Sequence, residues 1–162
     1  MKIFGKTISE YMSFAKGILI LVLVIGLARL ILSLAGVSNS VDKFLSLNVV
    51  TLIGIFYFSI RVHTTGFGSY KQLLPVLALQ WIASQSIIFA GIVIAIATSK
   101  DNIFSAPEYS PNANGRNWGH AISHLVAMVV LTIVSWLIGC LIMFITKKIA
   151  RGGERKVGAA RA

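Results

Sequence analysis

Apolar residues along this chain fall into four long blocks that are separated by short polar segments. The blocks cover residues 17–36, 45–62, 73–97 and 119–146, and each is close to the roughly 20 residues that an α-helix needs to cross a hydrocarbon core. Because lipid offers no hydrogen bonds to unpaired backbone groups, each block must satisfy its own backbone as a helix. The pattern therefore predicts an all-α integral membrane protein, a four-helix bundle over residues 17–148.

The residues before the first block have the period of an amphipathic helix. Ile3, Ile8 and Tyr11 share one helical face, whereas Lys6 and Ser13 share the other. A helix of this kind lies flat at a membrane interface or binds a partner subunit. We therefore expect a short interfacial helix over residues 1–16.

A cleaved signal peptide is the alternative interpretation of the first block. The block is longer than the roughly 7 to 15 apolar residues of such a signal, and Arg29 interrupts it. Four spans are accordingly expected rather than three.

Positive charge is concentrated on one side of the predicted bundle. The 162 residues contain 15 Lys and Arg against 5 Asp and Glu, a net charge of +10. Most of these cations lie before the first block, between the second and third blocks, and after the fourth. Because Lys and Arg in short flanking segments stay on the cytoplasmic side during insertion, we expect both termini in the cytoplasm, with the chain in the cell (inner) membrane.

The residues after the fourth block, 149–162, are then a basic cytoplasmic tail that glycines keep from continuing the helix. Its charge, like that of the other cytoplasmic flanks, is expected to meet anionic lipid headgroups rather than nucleic acid.

Polar side chains inside the predicted spans are the candidates for a functional site, because they are unfavourable in lipid and turn toward the interior of a bundle. Each span carries one stripe of polar or small residues at the helical period. The candidate ligand-binding residues are Arg29, Asn48, Thr51, Gln80, Ser84, His120 and His124. Small residues four apart also allow close helix packing without any ligand, and three such pairs are Ser86 and Ala90, Gly91 and Ala95, and Ser135 and Gly139.

Arg29 is a permanent charge inside the first predicted span. Facing inward near the outer ends of the helices, it would give a polar pocket that favours an anion or a carbonyl group. The alternatives are that Arg29 extends to the outer interface, or that Asp101 or Glu108 in the loop after the third block neutralises it.

His120 and His124 are one helical turn apart and present two imidazoles on one side, as a metal or haem site requires. The segment lacks the glutamate of the zinc-protease helix motif and offers no third ligand. His63 cannot easily supply a third ligand, because it lies at the cytoplasmic end of the second span whereas His120 and His124 lie at the outer end of the fourth. We predict no cofactor, and the alternative is haem or copper at His120 and His124.

No catalytic triad, carboxylate pair or acidic relay is evident in the sequence. The expected function is therefore non-catalytic association, as a homo-oligomer or as an accessory subunit of a membrane complex. The alternative is a protein that binds haem, a metal or an anionic or quinone-type ligand in the outer-leaflet pocket. A small-solute transporter is the third hypothesis, and it requires an interior cavity.

Overall fold

A computed structural model describes residues 2–38, 46–107 and 114–159, and the side chains as far as residue 150. A short hairpin pairs β1 (Lys2–Ile3) with β2 (Lys6–Thr7). The helices that follow are α1 (Ile8–Leu34), α2 (Leu47–Thr64), α3 (Tyr70–Thr98) and α4 (Trp118–Ala159). All four helices are long and apolar enough to cross a membrane. The prediction of an all-helical integral membrane protein with four spans is confirmed.

Successive helices run in opposite directions, and α3 packs against each of the other three. We call the end at which α1 and α3 begin the proximal end, and the end at which α2 and α4 begin the distal end. Large apolar side chains point outward along α1 and along α4 as far as Ile149. In a membrane protein these faces contact lipid, which removes the need for a polar exterior.

The N-terminal segment differs from the predicted interfacial helix over residues 1–16. Residues 2–7 form the hairpin because Phe4 and Gly5 both have positive φ, 49° and 87°, the combination that closes a two-residue hairpin turn. Thr7 then caps α1, since its hydroxyl accepts a hydrogen bond from the Glu10 amide while the Glu10 carboxylate accepts one from the Thr7 amide at 2.7 Å. The first span therefore begins at Ile8, well before residue 17.

The hairpin is docked on the proximal end of the bundle by two hydrogen bonds. The buried Tyr11 hydroxyl donates to the Ile3 carbonyl at 2.9 Å, and the Gln72 side-chain amide donates to the Phe4 carbonyl at 2.8 Å. Because the first bond comes from α1 and the second from α3, the hairpin ties the beginnings of these two helices together.

The other spans lie close to their predicted positions, except at the end of the fourth. The second predicted span, residues 45–62, corresponds to α2, and the third, residues 73–97, lies within α3. The fourth, residues 119–146, corresponds to α4, which continues as a helix through Gly152, Gly153 and Gly158. Residues 149–159 of the predicted tail are thus helical, contrary to the expectation that these glycines would end the helix. Residues 160–162 of the tail lie outside the described residues.

Small residues allow close packing within the bundle. Gly139 of α4 packs against Ser59 of α2 and Leu73 of α3, and four residues earlier the buried Ser135 accepts a hydrogen bond from the Trp81 indole at 2.8 Å. One predicted pair of small residues, Ser135 and Gly139, therefore mediates contacts inside the chain and is not available to another subunit.

Candidate ligand-binding cavity

A cavity of about 390 Å³ opens at the distal end, between the four helices and the loop that follows α3. Four of the seven predicted site residues line it, one or two from each of three helices: Arg29 of α1, Asn48 of α2, and His120 and His124 of α4. Its volume falls within the roughly 300–1,000 Å³ of small-molecule sites. The structure thus brings together residues that are up to 95 positions apart in the chain.

The cavity is lined by both polar and apolar side chains, which we call its polar wall and its apolar wall. Gln85 of α3 joins the four predicted residues on the polar wall, and its side chain is buried. The apolar wall consists of aliphatic side chains and one aromatic ring: Leu47, Ile88, Ile103, Phe104, Ala127 and Leu131. Such a division suits a ligand with a polar head and a hydrocarbon body.

The two histidines form part of a hydrogen-bonded chain that runs along the polar wall. His120 Nδ1 is 2.8 Å from the Gly115 carbonyl oxygen, and His124 Nδ1 is 2.6 Å from Gln85 Oε1. The two Nε2 atoms are 3.3 Å apart. The start of α4 holds this arrangement in place, because the Asn117 side chain accepts a hydrogen bond from the His120 amide at 2.8 Å.

Arg29 reaches the cavity from α1. Its guanidinium carbon is 5.5 Å from the centre of the Phe104 ring, within the range of a cation–π interaction. Asp101, which the sequence offered as a partner for Arg29, instead forms an ion pair with Arg116 at 3.0 Å. Glu108, the other predicted partner, lies outside the described residues. Arg29 thus lines the same cavity as the two histidines.

The loop after α3 closes the distal end of the bundle. The five residues from Asn102 to Ala106 are all buried. The Asn102 side chain donates to the Gly91 carbonyl at 2.7 Å, and the Ile103 amide donates to the Ser33 hydroxyl at 2.7 Å. Because the loop is held on both α3 and α1, it places Phe104 and Ile103 in the wall of the cavity.

Three predicted site residues do not line the cavity. Thr51, Gln80 and Ser84 are buried deeper in the bundle, where the Gln80 amide donates to the Thr51 carbonyl at 2.9 Å and the Thr51 hydroxyl donates to the Asn48 carbonyl at 3.0 Å. These residues support the helix that carries Asn48 instead of facing the cavity. Sequence reasoning missed Gln85, although the criterion that selected Gln80, an amide within a span, applies to it equally.

The described residues do not by themselves supply a complete set of ligands for a metal ion at His120 and His124. Among the described residues no three His, Cys, Asp or Glu side chains come together in a group that could hold a metal ion. His63 belongs to the last turn of α2, at the proximal end. The two Nε2 atoms of His120 and His124 are thus the donors that this part of the chain offers, and Arg29 would repel a cation placed between them.

No protein-family model, curated protein or solved structure matches this chain. The function proposed below derives from the residues of the chain itself.

Proposed function

We propose that this integral membrane protein binds a small amphiphile in the distal cavity. The ligand's head, a carboxylate or a quinone carbonyl, would lie against the polar wall, and its hydrocarbon part would lie along the apolar wall. The observation that carries the proposal is the meeting of both walls in one cavity of about 390 Å³. With both termini in the cytoplasm, as the cation distribution predicts, the distal cavity would open toward the outer leaflet.

The chemistry of the polar wall favours an oxygen-bearing head. Arginine and the side-chain amides of Asn48 and Gln85 supply N–H donors, and oxygen atoms of a carboxylate or quinone accept such bonds. Between helices within a membrane these bonds form with little competition from water, which increases their selectivity for a head group that can accept them. The buried amide of Gln85 would hold the head next to the histidines.

Calorimetry of the purified protein in nanodiscs tests this proposal. Hexanoate, its neutral analogue hexanamide, and duroquinone serve as the probes. We expect saturable binding of hexanoate or duroquinone, and we expect Ala127→Phe, which fills the apolar wall, to weaken it at least tenfold. Ala97→Phe is the matched control, because Ala97 is exposed on α3 near the same end. Equal binding to wild type and Ala127→Phe, or no saturable binding of any probe, would overturn the proposal.

Association with itself or with another membrane subunit is a second proposed function. Ser86 and Ala90 are exposed one turn apart on α3, and paired small residues on a lipid-facing surface allow two helices to approach closely. We expect Ser86→Leu to reduce energy transfer between labelled copies in vesicles. Val129→Leu on the exposed face of α4 is the control. Unchanged transfer in Ser86→Leu, or transfer no higher than that of an unrelated membrane protein, would argue against self-association through this surface.

The transporter hypothesis has less support from the packing. Near the proximal end Phe58 of α2, Leu77 of α3 and Met143 of α4 are completely buried. A solute in the distal cavity would have to displace these side chains to cross the membrane.

A further inference from the structure

The hydrogen positions on the two histidines follow from their neighbours. The Gly115 carbonyl can only accept, so His120 Nδ1 must carry a hydrogen. Gln85 presents Oε1 to His124 Nδ1 at 2.6 Å, so this nitrogen also carries a hydrogen. In neutral imidazoles both Nε2 atoms would then have only lone pairs, and these face each other at 3.3 Å. One additional proton between the two Nε2 atoms turns this repulsion into a charged hydrogen bond.

A neutral arrangement of the same side chains exists after one rotation. If the Gln85 amide turns by 180°, its NH₂ group donates to His124 Nδ1. His124 Nε2 then carries the hydrogen and donates to His120 Nε2, while His120 Nδ1 still donates to Gly115. Two fully hydrogen-bonded states of the chain therefore differ by one proton and by the orientation of the Gln85 amide.

From this geometry we infer that the His120–His124 pair is a single proton-binding unit, and that an anionic head group in the cavity binds together with one proton. This inference deepens the proposed function and rests on it, because it assigns the ligand to the anionic class. The proton comes from solvent or from the acid form of the ligand. It ends between the two Nε2 atoms, and the anion's charge is balanced within the cavity.

Electrostatics in the membrane interior supports the coupling. In a region of low dielectric constant, an anionic head group and a proton on the neighbouring histidine pair attract each other strongly, and each is less favourable there without the other. Among the described residues that line the cavity, Arg29 of α1 is the ionisable one besides the two histidines. The residues that α2 and α3 contribute to the polar wall, Asn48 and Gln85, are neutral. Each charge therefore makes the entry of the other more favourable, which is thermodynamic coupling between two binding events.

Proton-linked calorimetry measures this coupling directly. Hexanoate binding is recorded in two buffers of different ionisation enthalpy, and the difference gives the number of protons taken up. At a pH where the free pair is neutral, we expect about one proton per hexanoate and an affinity that falls about tenfold for each unit of increase in pH. Hexanamide, which carries no charge, is expected to take up no proton.

Substitutions locate the proton. His120→Asn removes one of the two facing Nε2 atoms and is expected to reduce the uptake to near zero, whereas His63→Asn, at the proximal end, is expected to leave it at about one. Nitrogen-15 spectra of labelled histidine provide a second measurement that needs no variant. His120 Nδ1 is expected to carry a hydrogen with and without hexanoate, whereas His124 Nδ1 gains one when hexanoate binds and the two Nε2 signals move together.

The outcomes separate the two proposals. Hexanoate that binds without proton uptake overturns the present inference and leaves the proposed function intact. If duroquinone binds but hexanoate does not, the ligand class is quinone and the inference is wrong. Absence of binding by every probe removes the proposed function and the inference together. If a chelator abolishes hexanoate binding, a metal ion and not a proton lies between the Nε2 atoms, which also overturns the inference.

Discussion

The side-chain amide of Gln80 lies directly against the backbone of Gly54, in the position that a side chain at residue 54 would occupy. Gln80 is completely buried, and its Nε2 donates to the Thr51 carbonyl at 2.9 Å. Its Oε1 faces the α2 backbone, where a Cα–H group is a weak donor. Because glycine leaves room for this contact, α2 and α3 approach closely just below the cavity, and Asn48 is held at the cavity wall.

The substitution Gly54→Ala is expected to destabilise the bundle. A methyl group at this position would overlap Oε1 of Gln80 and also lie 3.1 Å from Ile18, and overpacking of this kind costs about 1–3 kcal/mol. We expect a loss of that size in the free energy of unfolding, measured by reversible denaturation in mixed micelles. Gly17→Ala is the control, because a Cβ on Gly17 meets no atom within 4 Å. Equal stability of the two variants would show that the Gln80 side chain moves away without a penalty.

The buried hydrogen bond between Trp81 and Ser135 is expected to join α3 to α4. In Ser135→Ala the indole N–H loses the acceptor that it has at 2.8 Å, and hydrogen bonds between membrane helices contribute about 0.6–2 kcal/mol. A double-mutant cycle with Trp81→Phe isolates this contribution from the packing change that each substitution causes. We expect a coupling energy in that range.

The control for this cycle is Thr146→Ala, which removes a hydroxyl that bonds to a carbonyl of its own helix. This substitution should show no coupling with Trp81→Phe. A coupling energy near zero between Trp81 and Ser135 would contradict a stabilising role for their hydrogen bond.

The extent to which the sequence could predict the fold follows from the physics of each segment. The four spans were predictable, because a segment in lipid must be apolar and must satisfy its own backbone whatever its neighbours do. The meeting of Arg29, Asn48 and the two histidines was also predictable from their depth along antiparallel helices. Thr51, Gln80 and Ser84 also face the interior of the bundle, but they do not line the cavity. The depth to which the cavity extends depends on close helix contacts, such as that of Gly54 with Gln80, and the sequence pattern does not predict these.

Two features were not predictable from the pattern. The hairpin depends on a left-handed conformation at Phe4, which non-glycine residues rarely adopt, while the apolar period of the first residues is typical of a helix. The loop from Asn102 to Ala106 lies in a segment that contains turn-forming residues such as Asn102, Ser105 and Pro107. It is buried because Asn102 and Ile103 find hydrogen-bond partners on α3 and α1, and such long-range partners leave no local signal in the sequence.

The hairpin is expected to loosen in Tyr11→Phe without loss of the bundle. The Tyr11 hydroxyl donates to the Ile3 carbonyl at 2.9 Å, and one hydrogen bond of this kind contributes about 0.5–1.5 kcal/mol. Amide hydrogens of residues 3 and 6 should therefore exchange roughly 2- to 10-fold faster, while those in the middle of α3 keep their rates. Tyr57→Phe, on the half-exposed face of α2, is the control. Unchanged exchange in the hairpin would mean that Gln72 alone holds it in place.

The orientation of the protein in the membrane can be tested by cysteine labelling. The cations near the proximal end predict that this end faces the cytoplasm. In a Cys140→Ser background, which removes the cysteine of α4, Thr64→Cys and Lys100→Cys introduce exposed thiols at the proximal and distal ends. An impermeant maleimide added to intact cells should label only Lys100→Cys. It should label only Thr64→Cys in inverted vesicles, and both variants after permeabilisation. Labelling of Thr64→Cys alone in intact cells would reverse the orientation and would place the distal cavity on the cytoplasmic side. Labelling of both would contradict the helix arrangement itself, because α3 separates the two positions by the full thickness of the bundle.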